Sequence, residues 1–128
     1  MMLLLDSHTV IWAVDEPSRL SAAATTAVAD AANDRVVSAA TIWEIAIKVG
    51  RGKLTLSRPY RTRIEQALTD LRAIVLPITI AYADAQAALP YHHGDPFDRM
   101  LVAQATVERI ALVSVDRQFD AYGITRIW

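Results

Sequence analysis

Short apolar runs alternate with helical patterns along this chain, and that alternation restricts the fold more than any other feature. Met2 to Leu5 is an apolar run stopped by Asp6, the pattern of a strand buried on both faces. Further strand patterns cover Arg35 to Ser38, Ile74 to Ile78, Ala111 to Val115 and, briefly, Ile124 to Trp128. Helical patterns fall between them: Ser7 to Val14, Ser21 to Ala32, Thr41 to Val49, Pro59 to Leu71, Thr79 to Leu89 and Asp95 to Arg109. Parallel neighbours need helical crossovers, so the order predicts an α/β fold, a three-layer sandwich around a central, mainly parallel sheet. Pro77 puts its strand at an edge or marks the strand's end.

A length of 128 residues suits one domain, 1–128, with a real core. With 53% hydrophobic and 21% charged residues, and only 4 Gly and 5 Pro, the chain is neither disordered nor of low complexity. A net charge of -1 creates no global attraction to nucleic acid or anionic lipid, so any polyanion site must be local. The absence of cysteine excludes disulfides, thiolate metal sites and a cysteine nucleophile, and is compatible with a cytoplasmic location. The start MMLLLD lacks the basic residues and the length of a signal peptide, and no apolar run approaches a membrane span, so no membrane association is expected.

Four acids stand out. Asp6 and Asp116 each follow an apolar strand pattern, which in an open parallel sheet sets both at the carboxyl edge, where ligands bind. Asp98 lies in the first turn of a helix opened by Asp95 and Pro96. Glu44 is the only charge within Thr41 to Ile47. Singly, each has a plain reading. Asp6 can cap the helix at Ser7, Asp95 with Asp98 resembles a capping box, Asp116 can begin a turn, and Glu44 can pair with Lys48 one turn on. That pairing explains the apolar setting of Glu44 poorly. Jointly, four carboxylates on one rim would repel and call for a cation. Oxygen ligands without Cys or a His pair favour Mg²⁺ or Mn²⁺ over zinc. Such ions activate water for attack on phosphate.

The segments LLLDSHT, TIWEIAIKVGRGKL, HHGDPFDRMLVAQA and LVSVDRQF, in this order, resemble the PIN-domain family, specifically the VapC-type toxins of toxin-antitoxin pairs. The resemblance spans nearly the whole chain. It implies a PIN-like fold and a metal-dependent endoribonuclease that hydrolyses RNA with metal-activated water. Asp6, Glu44, Asp98 and Asp116 would be its catalytic and metal-binding acids, and the D-x-x-[LI]-x-A spacing selects Asp98 over Asp95. Asp95 would support the site from outside the ligand set, or only cap the helix. Ser114 matches a position where the family often carries a small hydroxyl that supports the site. The resemblance further implies a cognate VapB-like antitoxin and a homodimer.

Between Ile45 and Ile64 there is no acid, while Lys48, Arg51, Lys53, Arg58, Arg61 and Arg63 all fall there. This local patch suits RNA phosphates. Lys48 and Arg51, one and two helical turns after Glu44, are the preferred substrate-binding pair, with Ser114 beside the acids. His92 and His93 read as exposed or hydrogen-bonded loop residues, and the three tryptophans as core or interface anchors. Other functions fit less well. A haloacid dehalogenase-type phosphatase wants D-x-D where this chain has Asp6, Ser7, His8, and a phosphotransfer receiver wants a late lysine, yet none follows Lys53. Neither Gly-rich nucleotide motif occurs, so no nucleotide cofactor is expected. The remaining rival is a non-catalytic α/β RNA- or protein-binding module whose acids are caps and salt-bridge partners.

Overall fold

The computed structural model describes residues 1–128. Five parallel strands form its sheet: β1 (Met2–Leu5), β2 (Asp34–Ser38), β3 (Ile74–Leu76), β4 (Ala111–Val113) and β5 (Arg126–Ile127), in spatial order β3-β2-β1-β4-β5. The helices are α1 (Ser7–Asp15), α2 (Ala22–Ala29), α3 (Ala39–Gly50), α4 (Tyr60–Asp70), α5 (Ile80–Ala87) and α6 (Pro96–Glu108). The α/β sandwich expected from the alternation is present.

Strand side chains alternate between faces, and the apolar runs supply a core to each. Leu3, Leu5, Val37, Ala111 and Val113 face one way, onto Val10 of α1, Ala24 and Val28 of α2 and Ala67 of α4. Leu4, Val36 and Leu112 face the other way, onto Leu101, Val102 and Ala105 of α6 and onto Phe119. A smaller cluster of Ala40, Tyr82 and Met100 ties α3 and α5 to α6. The one chain thus fills both outer layers around an all-apolar β1.

Two local details depart from the sequence pattern and one follows it. The second helix ends at Ala29 rather than Ala32, because the Asp30 carboxylate accepts the Ala32 backbone N–H and turns the chain there. The fourth strand ends at Val113, and Asp116 instead caps a 3-10 helix over Arg117–Tyr122 through Gln118 N–H. Pro77 follows the last residue of β3, an edge strand, so both parts of its expectation hold. No helix is long and apolar enough to cross a membrane.

Candidate active site

The chain runs from β1 outward to β2 and β3, then returns to add β4 and β5 on the other side of β1. The order reverses between β1 and β4, and a crevice opens at the carboxyl ends of strands at such a point. Asp6 sits there, 5% exposed, as the residue after β1 and the N-cap of α1. Its Oδ1 accepts the Thr9 backbone N–H at 2.8 Å, and its Oδ2 accepts the Ser114 hydroxyl at 2.5 Å. The Ser114 oxygen in turn accepts the Asp116 backbone N–H at 3.1 Å. One buried hydroxyl from the end of β4 therefore joins the Asp6 carboxylate to the segment carrying Asp116.

The other two acids come from α3 and α6. The buried face of α3 carries Ala40, Thr41, Glu44 and Ile45, so Glu44 lies within the face rather than beside it. Of the apolar side chains Ile42, Ile45, Ala46 and Val49 along this helix, only Ile45 is fully buried. Lys48 reaches back to Glu44 at 3.2 Å. On α6, Asp95 is the N-cap, its Oδ1 accepting the backbone N–H groups of Phe97 at 2.9 Å and Asp98 at 3.0 Å. Asp98 then points from the first turn into a half-buried position, where Nε2 of His93 stands 3.4 Å from its Oδ2.

Burial is the largest force on Asp98 and holds its carboxyl up at about 7. The negative charges of Asp95 and Glu44 push in the same direction, while His93 opposes them. Electrostatics thus links α3 to α6: the Glu44 charge is felt at Asp98. On the surface beside them, Trp43 is 60% exposed and its ring meets Phe97 edge-on at 5.4 Å. Each aromatic precedes one of the two acids, so the helices meet through both pairs.

No three His, Asp or Glu side chains stand close enough to form a ready-made cage for an ion. Each acid has its own protein partner: Thr9 and Ser114 for Asp6, Lys48 for Glu44, His93 for Asp98, and Gln118 for Asp116. The donor chemistry still suits a hard divalent cation. Asp98 carries an ionisation that its surroundings oppose, and a bound cation would favour it.

His93 is the contact that the sequence did not reveal. Its Nδ1 lies 2.8 Å from the Tyr122 hydroxyl, which leaves Nε2 toward Asp98. Tyr122 belongs to the 3-10 helix after Asp116, far along the chain, so only the HHGD spacing ahead of Asp98 could have hinted at it. His92 is exposed, packed against the same Tyr122 ring.

The basic patch divides in two. Lys48 pairs with Glu44, Arg61 with Glu65 and Arg63 with Asp15. Arg63 is buried, with its Nε 3.2 Å from Asp15 Oδ1, and so holds α4 to α1 rather than facing solvent. Arg51, Lys53 and Arg58 are exposed and have no ion-pair partner. Trp12 and Trp128 are half-buried and pack on each other at 5.9 Å, as anchors would.

Residues 3–124 match the PIN domain family model. A Mycobacterium tuberculosis protein named Ribonuclease VapC22 is 33% identical over 121 residues, spanning 94% of this chain and 91% of that protein. Among solved structures, VapBC2 from Rickettsia felis, bound to a DNA fragment from its promoter, superposes with a TM-score of 0.71 at 13% identity. The match covers 98% of this chain and 97% of that one. FitAcB from Neisseria gonorrhoeae superposes with a TM-score of 0.65 at 21% identity, over 98% and 96% of the two chains. At these identities the structural likenesses speak for the fold.

Proposed function

This chain belongs to the PIN domain family, and from that premise we propose that it is a divalent-metal-dependent endoribonuclease, the toxin of a toxin-antitoxin pair. The observation that carries the reading is the opposed ionisation of Asp98, half-buried in the first turn of α6 within reach of the Glu44 and Asp95 charges. The relative named as a ribonuclease, alike over nearly the whole chain, supports the choice of RNA.

Asp6, Asp98 and Asp116 would hold Mg²⁺ or Mn²⁺, with Glu44 completing the acidic wall. When bound, the ion supplies an acidified water as nucleophile and offsets the charge on the phosphate. The chain's own residues do the rest. Ser114, donating to Oδ2, and the Thr9 N–H, donating to Oδ1, fix the Asp6 carboxylate at the carboxyl end of β1. His93, held by Tyr122, orients Asp98 and favours its anionic form. Asp95 keeps the first turn of α6 in register, which aims Asp98. Lys48 holds the Glu44 carboxylate and, with exposed Arg51, offers positive charge to phosphates of the substrate.

A cognate VapB-like protein is the proposed inhibitor, in keeping with the VapBC complex among the structural neighbours. A homodimer working in the cytoplasm completes the proposal.

The test is cleavage of labelled single-stranded and structured RNA by the purified protein with Mg²⁺ or Mn²⁺. Cleavage is expected, and Asp6→Asn, Asp98→Asn or EDTA should abolish it. Activity that survives Asp98→Asn or EDTA overturns the reading. A second reading, a non-catalytic binding module, draws on the protein partner that each acid already has; RNA binding without cleavage in any metal would favour it.

A further inference from the structure

Beside the acids, α1, α3 and the segment after α3 enclose a cleft of about 190 Å³, of whose lining the proposed chemistry uses Lys48 alone. Ile11, Ile45 and Leu54 form an apolar floor, while His8, Lys48 and Lys53 stand at its polar margin. Ser7, which follows Asp6, also lines it, so the cleft begins one residue from that acid. Ile45 and Lys48 bind it equally closely to Glu44.

We propose that this cleft is a nucleotide subsite, holding one unpaired base of single-stranded RNA next to the scissile bond, with Lys53 on its phosphate. The inference rests on the ribonuclease reading and names where its substrate lies. Three features favour this occupant. The volume suits a nucleobase, and the apolar floor gives its faces a dry surface on which to lie. Lys53 is exposed and free of any carboxylate, unlike Lys48, so its charge is available to an anion. His8 is exposed but backed by Trp12, with ring centroids 5.2 Å apart, and Trp12 is covered in turn by Arg19 at 4.2 Å. That stack holds the imidazole at the mouth of the cleft, where its edge can meet a base. An apolar floor with a cationic margin, beside acids that would hold metal, matches a base with its phosphate.

The experiment uses the full chain carrying Asp98→Asn in Mg²⁺, so that RNA stays intact. Anisotropy reports binding of a fluorescent single-stranded RNA and of the same oligomer with abasic sites, across a salt series. The base-containing RNA should bind more tightly than the abasic one. Lys53→Ala should weaken binding about fivefold and lower the salt slope by about 0.7, the share of one single-strand phosphate. Leu54→Ser should narrow the preference for bases and leave the salt slope alone. Equal binding of both oligomers, or unchanged affinity in both variants, overturns the subsite. With Asp98 intact, cleavage that is indifferent to Lys53→Ala in KM and kcat defeats this inference alone, whereas no binding and no cleavage of any RNA defeats the ribonuclease reading with it.

Discussion

The Ser114 hydroxyl donates to Asp6 Oδ2 at 2.5 Å across 108 positions of sequence, inside the protein and at the meeting of β1 and β4. It also accepts the Asp116 N–H, so one side chain orders two of the four acids. Partners that orient a metal-binding carboxylate typically matter by tens of fold in metal affinity or activity.

Ser114→Ala should therefore leave the fold in place and weaken Mn²⁺ binding about 10-fold to 100-fold. Thermal-shift titration with Mn²⁺ measures the affinity, and RNA cleavage at saturating metal measures what remains in kcat. Unchanged affinity would mean that Asp6 does not hold the ion.

Asp98 predicts how stability without metal depends on pH. Its carboxyl is held up at about 7, well above the ordinary value of 3.8, so the folded chain keeps a proton that the unfolded chain has released. The resulting stability is fully present below pH 3.8 and is lost as pH rises toward and through about 7. Urea midpoints in EDTA should fall across that window, and Asp98→Asn should flatten the fall. Mn²⁺ should tighten over the same interval, since it takes the ionised form.

Arg63 belongs to the frame and not to the substrate face. Its side chain is buried against Asp15, and removing one member of such a pair strands the other. Arg63→Met should cost about 3 kcal/mol in urea unfolding while leaving RNA affinity unchanged. Arg51→Ala should do the reverse.

Arg99, one residue past Asp98 and 2% exposed, donates to the carbonyls of Gln86, Leu89 and Pro90, closing the end of α5 onto α6. The Leu89 and Pro90 carbonyls lie past the end of α5, outside its hydrogen-bond ladder, while that of Gln86 also accepts the Leu89 N–H at 3.2 Å. Arg99→Met should lower stability by about 3 kcal/mol, read by urea unfolding, and raise KM or lower kcat by loosening the turn that presents Asp98. Full activity in a destabilised variant would show that the α5 contact does not position the acid.

Much of this molecule is decided by local pattern. An apolar run such as Met2 to Leu5 can be satisfied only by burial on both faces, and alternation with helices then requires a parallel sheet; the acids at strand ends and in the first turn of α6 follow from the same reading. Chain order along the sequence also delivered Asp95 as the cap and Glu44–Lys48 as a one-turn pair. What the linear pattern could not decide are the contacts made across long separations. Whether Arg63 faces solvent or an acid depended on where Asp15, on a different helix, came to rest. His93 reached Asp98 only because Tyr122, from a 3-10 helix invisible in the apolar periodicity, folded beneath it. Periodicity records which face of an element is buried; which charge meets which is set by packing, since the energy of a charge depends on its neighbours in space and on the water excluded around it.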